Sequence, residues 1–205
     1  MLQQIFRPQF PKSHGRGASN NESVVTFASA VTAIRLFVTL YFVMDAMHSL
    51  RIEPIVYALI AYWVGDVIDG MVARATNRET QLGAIFDIAA DRLSVVTIYM
   101  LFALYLPALT LPIIIFLFTF VIVDTILSMS FLKFNLLSIN YFYLVDKKLY
   151  DLNWSMPAKA ATTSIFMIVA LLAQNVVLSF IVAAAVLSLK VYSLHRMQHV
   201  IKTSR

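Results

Sequence analysis

The chain contains no cysteine, so disulfides and thiolate chemistry are excluded. Charge is also scarce. Only 13% of the 205 residues are Asp, Glu, Lys or Arg, against about 25% in a soluble domain. No short apolar run with a small-residue cleavage site appears near the start, so a cleaved signal peptide is not expected. No internal repeat, second domain, or RNA- or DNA-binding pattern is present, so no nucleic-acid partner is expected. What is abundant is apolar surface: 60% of the residues are hydrophobic and the mean hydropathy is +0.79. That balance describes an integral membrane protein. The net charge of +5 then points to cytoplasmic loops and anionic headgroups.

Residues 1–23 are polar and form an N-terminal tail, in which "MLQQIF" is suited to a short interfacial helix. A membrane span needs about 20 mostly apolar residues. Six such segments are expected, at roughly 24–46, 54–75, 83–106, 108–131, 157–174 and 176–195, followed by a tail over 196–205. The expected fold is therefore all-α: a polytopic bundle of six transmembrane helices over 24–195, with a polar cavity facing the cytoplasm. The segment 132–156 is polar and aromatic, as befits the membrane interface. An even number of spans puts both termini on one side. That side collects Arg7, Lys12, Arg16, Arg74, Arg78, Lys133, Lys147, Lys148, Arg196, Lys202 and Arg205, whereas Arg51 stands alone opposite. The positive-inside rule makes the crowded side cytoplasmic, and a bacterial plasma membrane is the expected location.

Against this background the stretch "DVIDGMVARATNRETQLGAIFDIAAD", residues 66–91, is anomalous. Asp66 and Asp69 are three apart, and Asp87 and Asp91 four apart, so each pair shares a helix face. The intervening loop reverses direction and lets the two faces converge. An aspartate at the bilayer centre costs roughly 2.5–3.5 kcal/mol. Four together also repel one another. A water-filled cavity or divalent cations would relieve both penalties. Oxygen-only ligation, with no His or Cys nearby, favours Mg²⁺ or Mn²⁺ over zinc. Gly70 and Gly83 leave room for a ligand or a close helix, and Arg74 can pair with a phosphate.

The pattern Asp66-x2-Asp69-Gly70-x2-Ala73-Arg74-x8-Gly83-x3-Asp87-x3-Asp91 resembles the full signature of the CDP-alcohol phosphatidyltransferases. "VTAIR" at 31–35 is similar to the L-T-x-x-R pattern of that family's first span, with Val31 in place of leucine and Ser29 where asparagine often stands. The resemblance implies transfer of a phosphatidyl group from CDP-diacylglycerol, or a similar CDP-linked donor, to an alcohol, releasing CMP in phospholipid biosynthesis. It implies two divalent ions on Asp66, Asp69, Asp87 and Asp91, with Asp91 also the general base. Gly70, Ala73, Arg74, Gly83 and Thr32 would line the nucleotide and diphosphate site. Family members often form homodimers, which this sequence neither demands nor excludes.

The acceptor is less clearly marked. Lys159 and Thr162 in "PAKAATT" resemble the G-K-x-x-T pattern of phosphatidylglycerophosphate and cardiolipin synthases, with Ala158 replacing the glycine. Asn77, Thr80 and Asp91-Arg92 instead resemble phosphatidylinositol and phosphatidylinositol phosphate synthases. A glycerol-type acceptor, glycerol 3-phosphate or phosphatidylglycerol, is the preferred expectation. Lys133, Lys159 and Arg196 are candidate contacts for an acceptor phosphate, with snorkelling at the interface the plainer role for Lys133 and Arg196. Arg35, inside the first span, needs a polar partner and is expected to face the cavity. Asp124, inside the fourth, is expected to pair with a cation or hydroxyl rather than bind metal. Two other functions would use an acidic cluster. An intramembrane prenyltransferase needs a second Asp-rich motif, and a cation or proton carrier commonly shows duplicated halves or broken helices; neither feature is evident.

Overall fold

The computed structural model describes residues 26–76 and 79–203; the N-terminal tail, Asn77 and Arg78 lie outside them. Within the described residues the chain is helical. Five helical segments are long and apolar enough to cross a membrane: Phe27–Ser49, Glu53–Val72, Gln81–Tyr105, Pro107–Phe134 and Val176–Thr203. The remaining expected span, 157–174, is present as a shorter α-helix, Met156–Ile168, that continues into a π turn over Val169–Ala173. The protein is thus an all-α polytopic membrane protein. By its internal contacts the chain divides into two compact units.

The unit Ala18–Pro107 contains α1 (Phe27–Ser49), α2 (Glu53–Thr76) and α3 (Gln81–Tyr105). Side-chain caps set where two of these helices begin. The Thr26 hydroxyl accepts the Ser29 N–H at 3.0 Å, and Thr80 accepts the Gly83 N–H at 3.0 Å. Helix α1 packs along both α2 and α3. Its buried stripe is largely polar, comprising Thr32, Arg35, Thr39, Val43 and Ala46, whereas Phe27, Ile34, Phe37, Tyr41 and Met44 are exposed. That inversion of the usual soluble pattern is what hydrocarbon demands. Apolar side chains can face lipid at no cost, and polar ones must find partners inside. At the far end of the unit, the Tyr105 hydroxyl donates to the Ala46 carbonyl at 2.7 Å and ties α3 to α1.

The unit containing Ala108–Arg205 holds α4 (Thr110–Phe118), a π turn (Thr119–Val123), α5 (Asp124–Met129), α6 (Lys147–Asn153), α7 (Met156–Ile168) and α8 (Val176–Thr203). Of the Phe-rich "IIIFLFTF" run, Phe116 is buried and stacks on Phe166 of α7, with ring centroids 4.4 Å apart. The polar-aromatic segment does not span. It is built of two 3₁₀ turns, Ser130–Phe134 and Ile139–Leu144, followed by α6, and Trp154 is buried against Phe142. Helix α6 is fastened to α8 at both ends. The Asn153 amide donates to Ser193 at 2.9 Å and accepts from Lys190 at 3.1 Å, while Arg196 donates to Asp146, the α6 N-cap, at 2.8 Å. Lys190, Ser193 and Arg196 recur every three residues and so share one face of α8.

Lys190 also lies 2.6 Å from Asp124, both being buried. Asp124 therefore has the cationic partner its position required. Removing one member of a buried pair strands the other charge, at about 3–5 kcal/mol, whereas replacing both with apolar residues is often neutral. Lys190→Met should accordingly lower the thermal midpoint sharply, and Asp124→Leu combined with Lys190→Met should regain most of the loss in the same melting assay.

Candidate active site

The site is assembled from three helices of the first unit. Asp66 and Asp69 project from α2, Asp87 and Asp91 from α3, and Thr32 and Arg35 from α1. The four carboxylates converge, and they converge on Arg35. Its Nη1 lies 2.9 Å from Asp91 and 3.3 Å from Asp66, its Nη2 2.9 Å from Asp87, and its Nε 3.3 Å from Asp69. The Thr32 hydroxyl lies 3.1 Å from Asp69 Oδ2 and 3.2 Å from the Ala28 carbonyl, so one proton is shared between them. Thr32 and Asp69 are buried, and Asp66, Asp87 and Asp91 half-buried. A guanidinium satisfies several acids at once because its planar fork presents donors in fixed directions.

Arg35 reaches this position through a gap in α2. A β-carbon at Gly65 would collide with the Arg35 Cγ and Cδ and come within 2.8 Å of its Cβ. The guanidinium carbon lies 5.6 Å from the Tyr62 ring centroid, within the range of a cation–π contact. Neither Tyr62 nor Gly65 stood out from the motif spacing. The available clue was that a buried arginine needs space for its stem, and Gly65 immediately precedes the first aspartate.

The other expected site residues are distributed as follows. Gly70 follows Asp69 on α2 and is half-buried. Ala73 and Arg74 continue α2, but their side chains lie outside the described part of the structure. Gly83 sits in the capping turn of α3, where a β-carbon would approach the Thr80 hydroxyl to 2.9 Å and Ser29 Oγ to 3.7 Å. In the second unit Lys133 is exposed and Lys159 half-buried. Thr162 is buried and donates to the Ala158 carbonyl of its own helix at 2.8 Å. Arg196 is engaged with Asp146.

Could the acids hold a divalent ion? Oxygens of Asp66, Asp69 and Asp87 all lie within 4.8 Å of one another, so one hard cation can bridge them. Asp91 stands outside that trio, linked to it through Arg35 Nη1. The donor set therefore fits Mg²⁺ or Mn²⁺. With the acids, the cation and the close helix approach in place, the comparison with known proteins is decisive. A family model described as CDP-alcohol phosphatidyltransferase matches residues 25–192. The chain belongs to the CDP-alcohol phosphatidyltransferase family. No curated protein and no solved structure matches it.

CDP-alcohol phosphatidyltransferases pass a substituted phosphate group from a CDP-alcohol to an acceptor alcohol, and this chain is such a transferase of phospholipid biosynthesis. The matched region contains both units' helices as far as the middle of α8, so it includes every acid of the cluster. A group held this closely is sensitive to small displacements; a shift of about 1 Å can cost roughly a hundredfold in rate. Gly65→Val should push Arg35 out of the cluster and reduce CMP release at least about a hundredfold. Its abundance in the membrane fraction should fall as well, because the displaced guanidinium leaves four close carboxylates without their cation.

Proposed function

We propose that the protein transfers the phosphatidyl group of CDP-diacylglycerol to a glycerol-type acceptor, glycerol 3-phosphate or phosphatidylglycerol, in a reaction that requires divalent metal. The observation that carries this reading is the convergence of carboxylates from α2 and α3, with Asp66, Asp69 and Asp87 oxygens within 4.8 Å. Such a trio suits a hard cation that in turn binds a diphosphate. When bound, Mg²⁺ or Mn²⁺ would neutralise charge on the diphosphate and on the departing CMP. Asp66, Asp69 and Asp87 would hold the metal, with Asp91 contributing to the second of two ions. Gly70, Ala73, Arg74, Gly83 and Thr32 would bound the nucleotide, Arg74 pairing with its diphosphate.

Asp91 would act as general base. Its carboxylate takes the acceptor hydroxyl's proton, and the freed oxygen attacks the phosphorus that carries the lipid. The bond from that phosphorus to the bridging oxygen breaks, and CMP departs with the bridging oxygen. Catalysis of this kind depends on alignment and charge neutralisation. The apolar exposed faces of α1 support keeping the lipid tails in hydrocarbon while the nucleotide enters from the cytoplasm, where the excess of Lys and Arg places both termini. The glycerol-type acceptor rests on the sequence pattern at Lys159 and Thr162; the hydroxyls of Thr162 and of Thr80, in the rival inositol-type pattern, are both engaged in their own helices.

Purified protein with CDP-diacylglycerol and Mg²⁺ or Mn²⁺ should release CMP on adding glycerol 3-phosphate or phosphatidylglycerol. Chelation with EDTA should abolish turnover, and readdition of metal restore it. Asp91→Asn should eliminate turnover while still binding CDP. Release with inositol or inositol phosphate alone would reassign the acceptor. Ion flux through sealed vesicles without CMP would identify a carrier instead.

A further inference from the structure

Helices α1 and α2 carry stripes of the same spacing. Val31, Arg35, Val38 and Phe42 lie along one face of α1. Tyr57, Ala61, Val64 and Ile68 lie along one face of α2. Between the stripes runs an almost wholly apolar groove of about 410 Å³. Val64 and Ile68 are exposed, so the groove opens on the lipid side. One end lies at the depth of the acids, because Asp66 falls between Gly65 and Ile68, which both line the groove, and Asp69 follows. At the other end the last lining residues are Phe42 and Tyr57, whose rings bridge the two helices with centroids 5.6 Å apart.

On the reading of CDP-diacylglycerol as donor, we propose that this groove seats one acyl chain of the donor and that Phe42 and Tyr57 limit its length. Dimensions select the kind of occupant. From Val31 to Phe42 the groove follows α1 for about 16 Å. That is close to one leaflet, half of a hydrocarbon core about 30 Å thick. The volume spread over that length leaves a cross-section of about 25 Å². Such a channel admits one extended hydrocarbon chain and is too narrow for a helix about 10 Å across. Anchoring selects which lipid. The groove offers a tail little that the surrounding bilayer does not, because lipid tails are as apolar as the side chains that line it. A tail is retained there only when its headgroup is held beside the acids, and the donor is the lipid whose diphosphate the metal-loaded aspartates would hold. Length is then read by exclusion. A tail longer than the groove meets two packed rings, and forcing extra methylenes against packed side chains is costly. Phe42 and Tyr57 are thus specificity-determining residues, remote from the reacting phosphate.

The test measures CMP release by the full-length protein in nanodiscs across saturated CDP-diacylglycerols of increasing chain length. Glycerol 3-phosphate, phosphatidylglycerol and inositol phosphate serve as acceptors. Wild-type kcat/KM should peak at one length and fall beyond it. Phe42→Ala should move the peak to longer chains. Val64→Trp, which narrows the groove near its acidic end from an exposed position, should move it to shorter ones and decides the matter if Phe42→Ala does not fold. The ratio of kcat/KM for long over short chains should change by about tenfold in each direction. A general loss of stability lowers all lengths alike and cannot give opposite shifts. A diazirine at the end of one donor chain should label Phe42 or Tyr57. An unchanged length profile in both variants would overturn the groove proposal and leave the donor reading standing. Labelling of the same residues by a diazirine phosphatidylcholine that excess CDP-diacylglycerol does not displace would assign the groove to bulk lipid and also overturn it. No CMP from any CDP-diacylglycerol with any of these acceptors would overturn the donor reading itself.

Discussion

The contact between the Arg35 guanidinium and four aspartates is the constraint from which the rest of the first unit follows. Carboxylates this close repel each other, and in a segment bounded by hydrocarbon they cannot rely on bulk water for relief. A single planar cation that touches all four allows three helices to bring their polar stripes together. Helix α1 therefore carries Thr32, Arg35 and Thr39 inward and Phe27 and Phe37 outward. The glycine at position 65 is part of the same solution, because the arginine stem occupies the volume a side chain would need. Thr32 adds a hydroxyl to Asp69, the most enclosed of the acids.

The second unit handles buried charge in the same way but for a different end. Asp124 and Lys190 neutralise each other, and Lys190 extends the contact to Asn153, which reaches Ser193. With both charges matched and the remaining polar atoms turned on one another, this network fastens the short helix α6 to α8 and leaves no surplus charge for a ligand. The acidic cluster of the first unit has the opposite balance, with more acid than base. An imbalance of that kind is expensive unless something cationic arrives, and it separates a site from a structural lock.

Much of this was legible in the sequence. Composition and long apolar runs revealed a membrane protein, and five of the six expected spans coincide with helices long enough to cross. The spacing of Asp66, Asp69, Asp87 and Asp91 implied two convergent faces because helical periodicity is a local property. The partnerships were less accessible. That Arg35 would meet all four acids, that Gly65 would make way for it, and that Lys190 would be the cation for Asp124 depend on how separate helices pack, and no periodicity within one helix encodes that. Local chemistry also hid some roles. Thr80 attracted notice as part of an inositol-type pattern, yet its hydroxyl caps a helix. Thr162, noticed for a glycerol-type pattern, donates to its own helix. The end of α8 was missed as well, since the helix runs to Thr203 through a polar sequence that hydropathy alone would exclude.

The central claim is that the converging aspartates hold a metal ion in direct contact with the donor's diphosphate. Pulsed electron–nuclear double resonance on the Mn²⁺-loaded protein with a CDP-alcohol measures this directly. The account predicts a phosphorus hyperfine coupling of the size expected for a Mn²⁺-bound phosphate oxygen, lost when Asp66 and Asp69 are both changed to asparagine. Bound Mn²⁺ with no phosphorus coupling, or a coupling that survives the double substitution, would contradict it.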